Sequence, residues 1–170
     1  MRFCADSSFL LRLYDPLGMP AELEAIRDYL ADDQKVISVS ELCRVEVLNV
    51  LLRKPETGAA GQFDNDLAEG LRLRLESVDW ADAFQQAESL ARRFARPLRP
   101  GGHDLVLVAA AVAMGATWFL SFDRHSRQRP LAAAAGLRVW PPLDRDEQGL
   151  AKHATRQPGP SVSGSSPRVE

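Results

Sequence analysis

The nine residues Leu105-Val106-Leu107-Val108-Ala109-Ala110-Ala111-Val112-Ala113 are apolar without a break, and this run constrains the fold more than any other stretch of the chain. A helix that is apolar all round must be buried all round, so it belongs in the middle of a domain, packed against a sheet. Gly115 is a good terminator for it. Thr117-Trp118-Phe119-Leu120 then reads as a strand that runs directly into Ser121-Phe122-Asp123. A buried helix therefore feeds a strand that ends on a carboxylate.

The rest of the chain repeats that alternation. Arg2-Phe3-Cys4-Ala5 reads as a short buried strand ahead of Asp6, with Ser7-Ser8 as a helix cap before Phe9-Leu10-Leu11. Pro20 opens a helix with Leu23, Ile26 and Leu30 on one face, which Asp32-Asp33 closes ahead of the strand Val36-Ile37. Ser40 caps a helix carrying Leu42, Val45, Leu48 and Leu52, which stops near Lys54-Pro55 because proline cannot continue it.

Phe63, Leu67, Leu71 and Leu75 mark a further amphipathic helix, and Ser77-Val78 a short extended piece. Ala83, Phe84, Ala87, Leu90, Ala91 and Phe94 define the next helix, with 97–102 as a loop. A helix from Arg124 to Ala135, broken near Pro130 and closed by Gly136, precedes a last strand, Leu137-Arg138-Val139-Trp140. Strands alternating with helices imply an α/β fold with a central parallel sheet flanked by helices on both faces.

A chain of 170 residues with 45% hydrophobic content supports one compact core and is short for two domains. Beyond Pro141-Pro142 the composition turns charged and then Pro-, Gly- and Ser-rich, so 1–143 is expected to form the domain and 144–170 a disordered tail. Cys4 and Cys43 lack metal spacing and read as small core residues of a reducing compartment. Asp6 stands where a secretory signal needs its apolar stretch, and Leu105 to Leu120 is too short to span a bilayer, so a soluble cytoplasmic protein is expected.

A formal charge of −2 argues against a generic polyanion binder. The distribution is uneven, however. Arg92, Arg93, Arg96, Arg99, Arg124, Arg127 and Arg129 face only Asp104 and Asp123 in that stretch, a local +5 against −7 elsewhere. These arginines either decorate a helix face and end or form a rim that binds phosphate.

In an open parallel sheet, ligands collect at the carboxyl ends of the strands, where helix N-termini also point. Asp6 and Asp123 fall at such ends, and Asp104 opens a helix that returns to the same side. Glu46 sits within a helix, where an unpaired charge costs several kcal/mol unless a cation or water meets it. Clustered carboxylates repel one another, and a hard divalent cation such as magnesium relieves that repulsion. Each acid also has a structural role open to it: Asp6 as a turn or cap, Asp104 as a partner of the helix dipole, and Asp123 as a partner of an arginine.

In these residues the chain resembles the PIN-domain superfamily and, within it, the VapC-type toxins of bacterial type II toxin-antitoxin pairs. The likeness rests on Ala5-Asp6-Ser7-Ser8-Phe9-Leu10, on Ser40-Glu41-Leu42-Cys43-Arg44-Val45-Glu46-Val47-Leu48-Asn49, on Gly102-His103-Asp104 before an alanine-rich helix, and on Gly115 through Arg124. It spans Met1 to about Trp140. The resemblance implies a three-layer PIN-like fold in which Asp6, Glu46, Asp104 and Asp123 form the catalytic acidic quartet, with Asp6, Asp104 and Asp123 as metal ligands. Ser8 and Ser121 match hydroxyl positions that orient the acids, and Asn49 matches a polar residue beside the glutamate.

It further implies Mg2+- or Mn2+-dependent endoribonuclease activity, in which a water activated at the metal attacks phosphorus. A homodimer and a cognate antitoxin that blocks the groove are implied as well. The RNA-binding candidates are Arg92, Arg93, Arg96, Arg99, Arg124 and Arg127. Glu41 competes with Glu46 for the glutamate role, although Val45-Glu46-Val47-Leu48-Asn49 fits the pattern better. Gln128 stands near where some members carry a further acid, which leaves the number of metals open.

Two other functions share these features. A catalytically inactive PIN-like module could hold a protein partner in the same pocket. A phosphoacceptor signalling domain also uses acids at strand ends but needs a lysine after a late strand, and the only lysines here are Lys35, Lys54 and Lys152.

Overall fold

The computed structural model describes residues 1–14, 20–31 and 35–156. Five parallel strands form one sheet in the order β3-β2-β1-β4-β5: β1 (Phe3–Ala5), β2 (Ile37–Ser40), β3 (Leu73–Glu76), β4 (Trp118–Leu120) and β5 (Arg138–Trp140). β1 lies at the centre, with Phe3 opposite both Ile37 of β2 and Trp118 of β4. The chain winds outward from β1 to β3 on one side and then crosses to β4 and β5 on the other. The β1/β4 junction is therefore the topological switch point, where the connections leave in opposite directions and open a crevice.

Among the described residues, eight α-helices cover the two faces. The first face carries α1 (Ser7–Tyr14), α2 (Pro20–Leu30), α3 (Glu41–Leu51) and α4 (Ala59–Glu69). The second carries α5 (Trp80–Leu98), α6 (Gly102–Ala113), α7 (Gln128–Ala134) and α8 (Arg145–Arg156). Strand alternation feeds both layers. Phe3, Ala5, Ile37, Val39 and Leu120 join Phe9, Leu10, Cys43, Val47 and Phe63 in one core, while Cys4 and Phe119 join Phe94, Leu98, Val108, Ala111 and Leu131 in the other. α6 has Leu107 through Ala111 buried, while Leu105, Val106, Val112 and Ala113 of the apolar run are only partly covered, short of the expected all-round burial. Among the described residues, no helix is long and apolar enough to cross a membrane.

Four segments depart from the sequence reading. Leu71 and Leu75 do not continue the α4 helix: Gly70, at φ 66°, takes the left-handed conformation that stops it, and Leu73–Glu76 forms β3. α5 runs on through Pro97 to Leu98, whose side chain is buried, so the loop between α5 and α6 shrinks from the expected 97–102 to 99–101. One lost hydrogen bond in a last turn is outweighed by that burial. Residues 124–127 precede α7 instead of opening it, because Asp123 Oδ1 accepts the amides of His125 (2.9 Å) and Ser126 (3.1 Å) and holds a turn there.

The fourth departure is the tail. Residues 145–156 were expected to lack structure and instead form α8, with Ala151 and Ala154 buried against α5 and α7. Asp144 Oδ1 accepts the Glu147 amide at 2.9 Å and Glu147 Oε2 accepts the Asp144 amide at 2.9 Å, a reciprocal capping box. The remainder of the expected tail, 157–170, and the expected helix stop at Asp32-Asp33 lie outside the described residues.

Candidate functional site

Asp6 follows β1 and is buried, with 3% of its surface exposed. Its Oδ1 accepts the Phe9 amide at 2.9 Å and the Ser8 hydroxyl at 2.8 Å, so Asp6, and not Ser7 or Ser8, caps α1. Its Oδ2 accepts the Ser121 hydroxyl at 2.7 Å. Ser121 follows β4, and its Oγ also accepts the Asp123 amide at 3.1 Å. One hydroxyl therefore joins the two carboxylate-bearing segments across the switch point. Ser8 makes a second tie, since its Oγ accepts the Phe122 amide at 2.9 Å. Behind them Phe122 stacks on Phe9 and meets Trp140 edge-on, which fixes the 121–123 segment from below.

The two aspartates sit in contrasting environments. Burial pushes the Asp6 carboxyl up to about 6 against the pull of hydrogen bonds from Ser121, Phe9 and Ser8, and the charge of Asp123 raises it further. Asp123 is partly exposed. Its partial burial raises it, but the Ser126 amide and hydroxyl, the His125 amide and the His125 charge outweigh that, leaving it below the usual carboxylate range. Asp123 therefore ionises readily, whereas burial makes Asp6 the harder of the two to ionise.

Glu46 lies on α3, whose N-terminus is capped by Ser40 accepting the Cys43 amide at 3.2 Å. Its Oε1 is 2.5 Å from His103 Nε2, which brings α3 against the N-terminus of α6. Its Oε2 is buried with no hydrogen-bond partner among the described residues. Asp6 and Glu46 both act electrostatically on the buried Cys43 thiol, raising it after desolvation has done so first. Glu41 is engaged elsewhere, accepting the Val78 amide at 3.2 Å.

Asp104 lies in the first turn of α6, where its Oδ2 accepts the Gly101 amide at 3.0 Å. It caps its own helix. Among the described residues no three Asp, Glu, His or Cys side chains are grouped closely enough to hold a metal ion. Ser121 thus links the Asp6 carboxylate to the Asp123 backbone, Glu46 pairs with His103, and Asp104 caps its own helix. Asn49 is exposed on α3.

The arginines divide. Arg92, Arg93, Arg96 and Arg99 are exposed along the C-terminal part of α5, with Arg92 making only a loose pair with Glu88, and Arg124 and Arg127 are exposed just beyond Asp123. Arg129 belongs to a different environment. It is fully buried against Glu147 of α8 and takes no part in an exposed basic rim.

Three contacts escaped the sequence reading. The His103–Glu46 pair had no signal, since 57 positions separate the two and nothing in their spacing joins them. Gln128, marked only as a substituted position, has its Oε1 3.4 Å from Ser121 Oγ. The Arg129–Glu147 pair had no signal of its own, although the capping-box spacing of Asp144 and Glu147 marks the start of the helix that carries it. A cavity of about 530 Å³ lies away from these acids, between α1, α2, α4 and β3, lined by Tyr14, Leu30, Asp66 and Arg72 among others. The hydrogen-bonded acids at the switch point locate the candidate chemistry better than this cavity does, because it contains neither Asp6 nor Asp123.

Comparison with known proteins bears on the fold and the family. No curated protein matches the chain in sequence. Among solved structures, the fold is similar to that of VapC20 from Mycobacterium tuberculosis, described as a sarcin-ricin loop cleaving toxin, with 22% identity and a TM-score of 0.58 over 81% of this chain and 98% of that one. It is also similar to VapBC2 from Rickettsia felis bound to a promoter DNA fragment, with 16% identity and a TM-score of 0.60 over 82% of this chain and 97% of that one. The PIN-domain family pattern matches residues 3–130, a span that includes all four acids and both serines, and the chain therefore belongs to the PIN-domain family.

Proposed function

We propose that this chain is the toxin of a type II toxin-antitoxin pair, a VapC-type endoribonuclease that cleaves RNA phosphodiester bonds with Mg2+ or Mn2+. The observation that carries the reading is the Ser121 hydroxyl shared between Asp6 and the Asp123 amide at the switch point of a parallel sheet. The family and the described activity of VapC20 support it.

The donor set fits a hard divalent ion in kind, since every candidate ligand is a carboxylate oxygen and the buried Glu46 Oε2 lacks a partner. Asp6, Asp123 and Asp104 would hold the ion, with Glu46 alongside. Magnesium takes one or two carboxylates and keeps several waters, so the lack of a tight three-ligand group among the described residues is compatible with such a site. When bound, the ion supplies an activated water and neutralises charge on the phosphodiester.

The chain's own residues do the rest. Ser8 and Ser121 hold Asp6 in one orientation, and the turn at His125-Ser126 keeps Asp123 ionised and fixed. Asn49 would serve as a supporting polar group from α3. Arg92, Arg93, Arg96, Arg99, Arg124 and Arg127 would meet the RNA backbone, where exposed guanidiniums suit phosphate oxygens.

A cognate antitoxin is the proposed protein partner, supported by the similarity to the VapBC2 assembly. A second copy of the chain is the proposed occupant of the apolar strip formed by the exposed Val45 and Phe84 with the partly buried Leu42 and Val106. A soluble cytoplasmic location goes with this reading.

The test is cleavage of structured RNA by the purified chain with Mg2+ or Mn2+. Asp6→Asn and Asp123→Asn should each abolish it, and undiminished cutting by both variants would remove the proposed site. The capping bond of Asp104 favours one second reading, a catalytically inactive PIN-like module that binds a protein partner. Calorimetry that detects no Mn2+ binding, together with absent cleavage, would select it.

A further inference from the structure

Arg129 heads the fully buried side chains by volume. Its Nε donates to Glu147 Oε1 at 2.7 Å, and its Nη2 donates to Glu147 Oε2 at 3.2 Å and to the carbonyls of Pro141 (3.0 Å) and Pro142 (3.2 Å). Its Nη1 donates to the carbonyl of Ser121. A guanidinium presents its donors in a rigid fork, so these acceptors are held in one fixed arrangement around it.

The Ser121 peptide is therefore gripped from two sides. Its amide donates to the Trp140 carbonyl at 3.0 Å, and its carbonyl accepts from Arg129. β4 ends one residue earlier, at Leu120, so strand pairing alone does not fix this residue. The Ser121 hydroxyl is the group that meets Asp6 Oδ2 and the Asp123 amide. Glu147 stands in the first turn of α8, where the Asp144 amide also engages it, so the last described helix reaches the acidic site through two side chains.

We propose that Arg129 and Glu147 are positioning residues for the acidic site: α8 holds Arg129, Arg129 holds the Ser121 backbone, and Ser121 sets the geometry of Asp6 and Asp123. This rests on the reading of those aspartates as the cation-binding pair. Outer partners that orient metal ligands commonly carry about 10- to 100-fold of metal affinity or activity.

The experiment compares the full chain with the double variant Arg129→Met/Glu147→Leu. Removing both charges leaves no buried ion unpaired, which spares the fold the larger cost of a lone buried charge. Arg129→Lys keeps the charge but loses the fork, and it carries the same comparison should the double variant not fold. Three quantities are read: Mn2+ binding by titration calorimetry without RNA, kcat and KM for RNA cleavage, and amide hydrogen exchange at Phe122 and Asp123.

Mn2+ binding and kcat should each fall about tenfold or more, with KM for RNA little changed and exchange faster at Phe122 and Asp123 than in β2. A variant that binds Mn2+ and cleaves RNA as the wild type does overturns the proposal. If the wild type neither binds Mn2+ nor cleaves RNA, the functional reading itself fails and exchange alone decides: unchanged exchange at Phe122 and Asp123 overturns the clamp, and local acceleration sustains it.

Discussion

Ser121 donates its hydroxyl to Asp6 Oδ2 at 2.7 Å, although 115 positions separate the two in the chain. The contact exists because β1 and β4 are parallel neighbours in register, Ala5 opposite Leu120, so the residues that follow them emerge side by side. Ser121→Ala removes this donor and leaves the Asp123 amide without its acceptor. The variant should require a higher Mn2+ concentration for half-maximal cleavage, by about tenfold. A titration of rate against Mn2+ at fixed RNA concentration checks it, and an unchanged midpoint would show that the hydroxyl does not orient the acids.

Burial raises Asp6 to about 6, and this has a signed consequence for stability. In the unfolded chain the same carboxyl titrates near about 4, so between those values the native state holds a proton that the unfolded state has released. Stability must then fall as pH rises through this window, by about 3 kcal/mol for a shift of this size. With divalent ions chelated, Asp6→Asn should therefore be more stable than the wild type at pH 7 and lose that advantage as the pH approaches 4. Thermal melts of the two proteins across this range test it; a constant difference would mean that Asp6 carries no such penalty.

Much of this architecture could be read from the sequence because its signals are local. The all-apolar 105–113 run, Gly115 and the strand behind it specify α6 and β4, and Ser40 caps α3 as its position suggested. Legibility failed where a helical period had to be told from a strand period over few residues, as at Leu71 and Leu75, and where composition outweighed pattern. The segment after Asp144 is charged enough to look unstructured, yet two buried alanines and one capping box suffice to dock it once Arg129 demands a partner. That Asp6 and Asp123 follow parallel strands was legible, as was the placing of Glu46 and Asp104 on helices. Their pairing was not, because contacts such as His103 with Glu46 depend on how α3 and α6 approach one another, and no spacing encodes that.

Asp104 can be separated into its two roles by choice of substitution. As a cap, it needs only an oxygen to accept the Gly101 amide, which asparagine retains. As a cation ligand it needs its charge. Asp104→Asn should leave the melting temperature almost unchanged while abolishing cleavage, whereas Asp104→Ala should also destabilise the fold by about 1 kcal/mol. Full cleavage by Asp104→Asn would confine the residue to capping.

The exposed arginines give a prediction that is read in salt rather than in rate. Each guanidinium that neutralises a phosphate releases a counterion, so removing one should flatten the dependence of affinity on salt by a slope of about 0.7 on single-stranded RNA. Arg96→Ala and Arg99→Ala lie at the end of α5 that leads into Asp104, and Arg124→Ala directly follows Asp123. Each should weaken RNA binding at low salt and converge on the wild type as salt rises, with kcat at saturating RNA largely preserved because none of these side chains bonds to Asp6 or Ser121. Arg92→Ala, whose guanidinium loosely pairs with Glu88 on the same helix, should have a smaller effect. Parallel salt titrations of RNA binding for the four variants decide the matter, and slopes identical to the wild type in all of them would assign the arginines to the solvated surface of α5 and of the loop after β4.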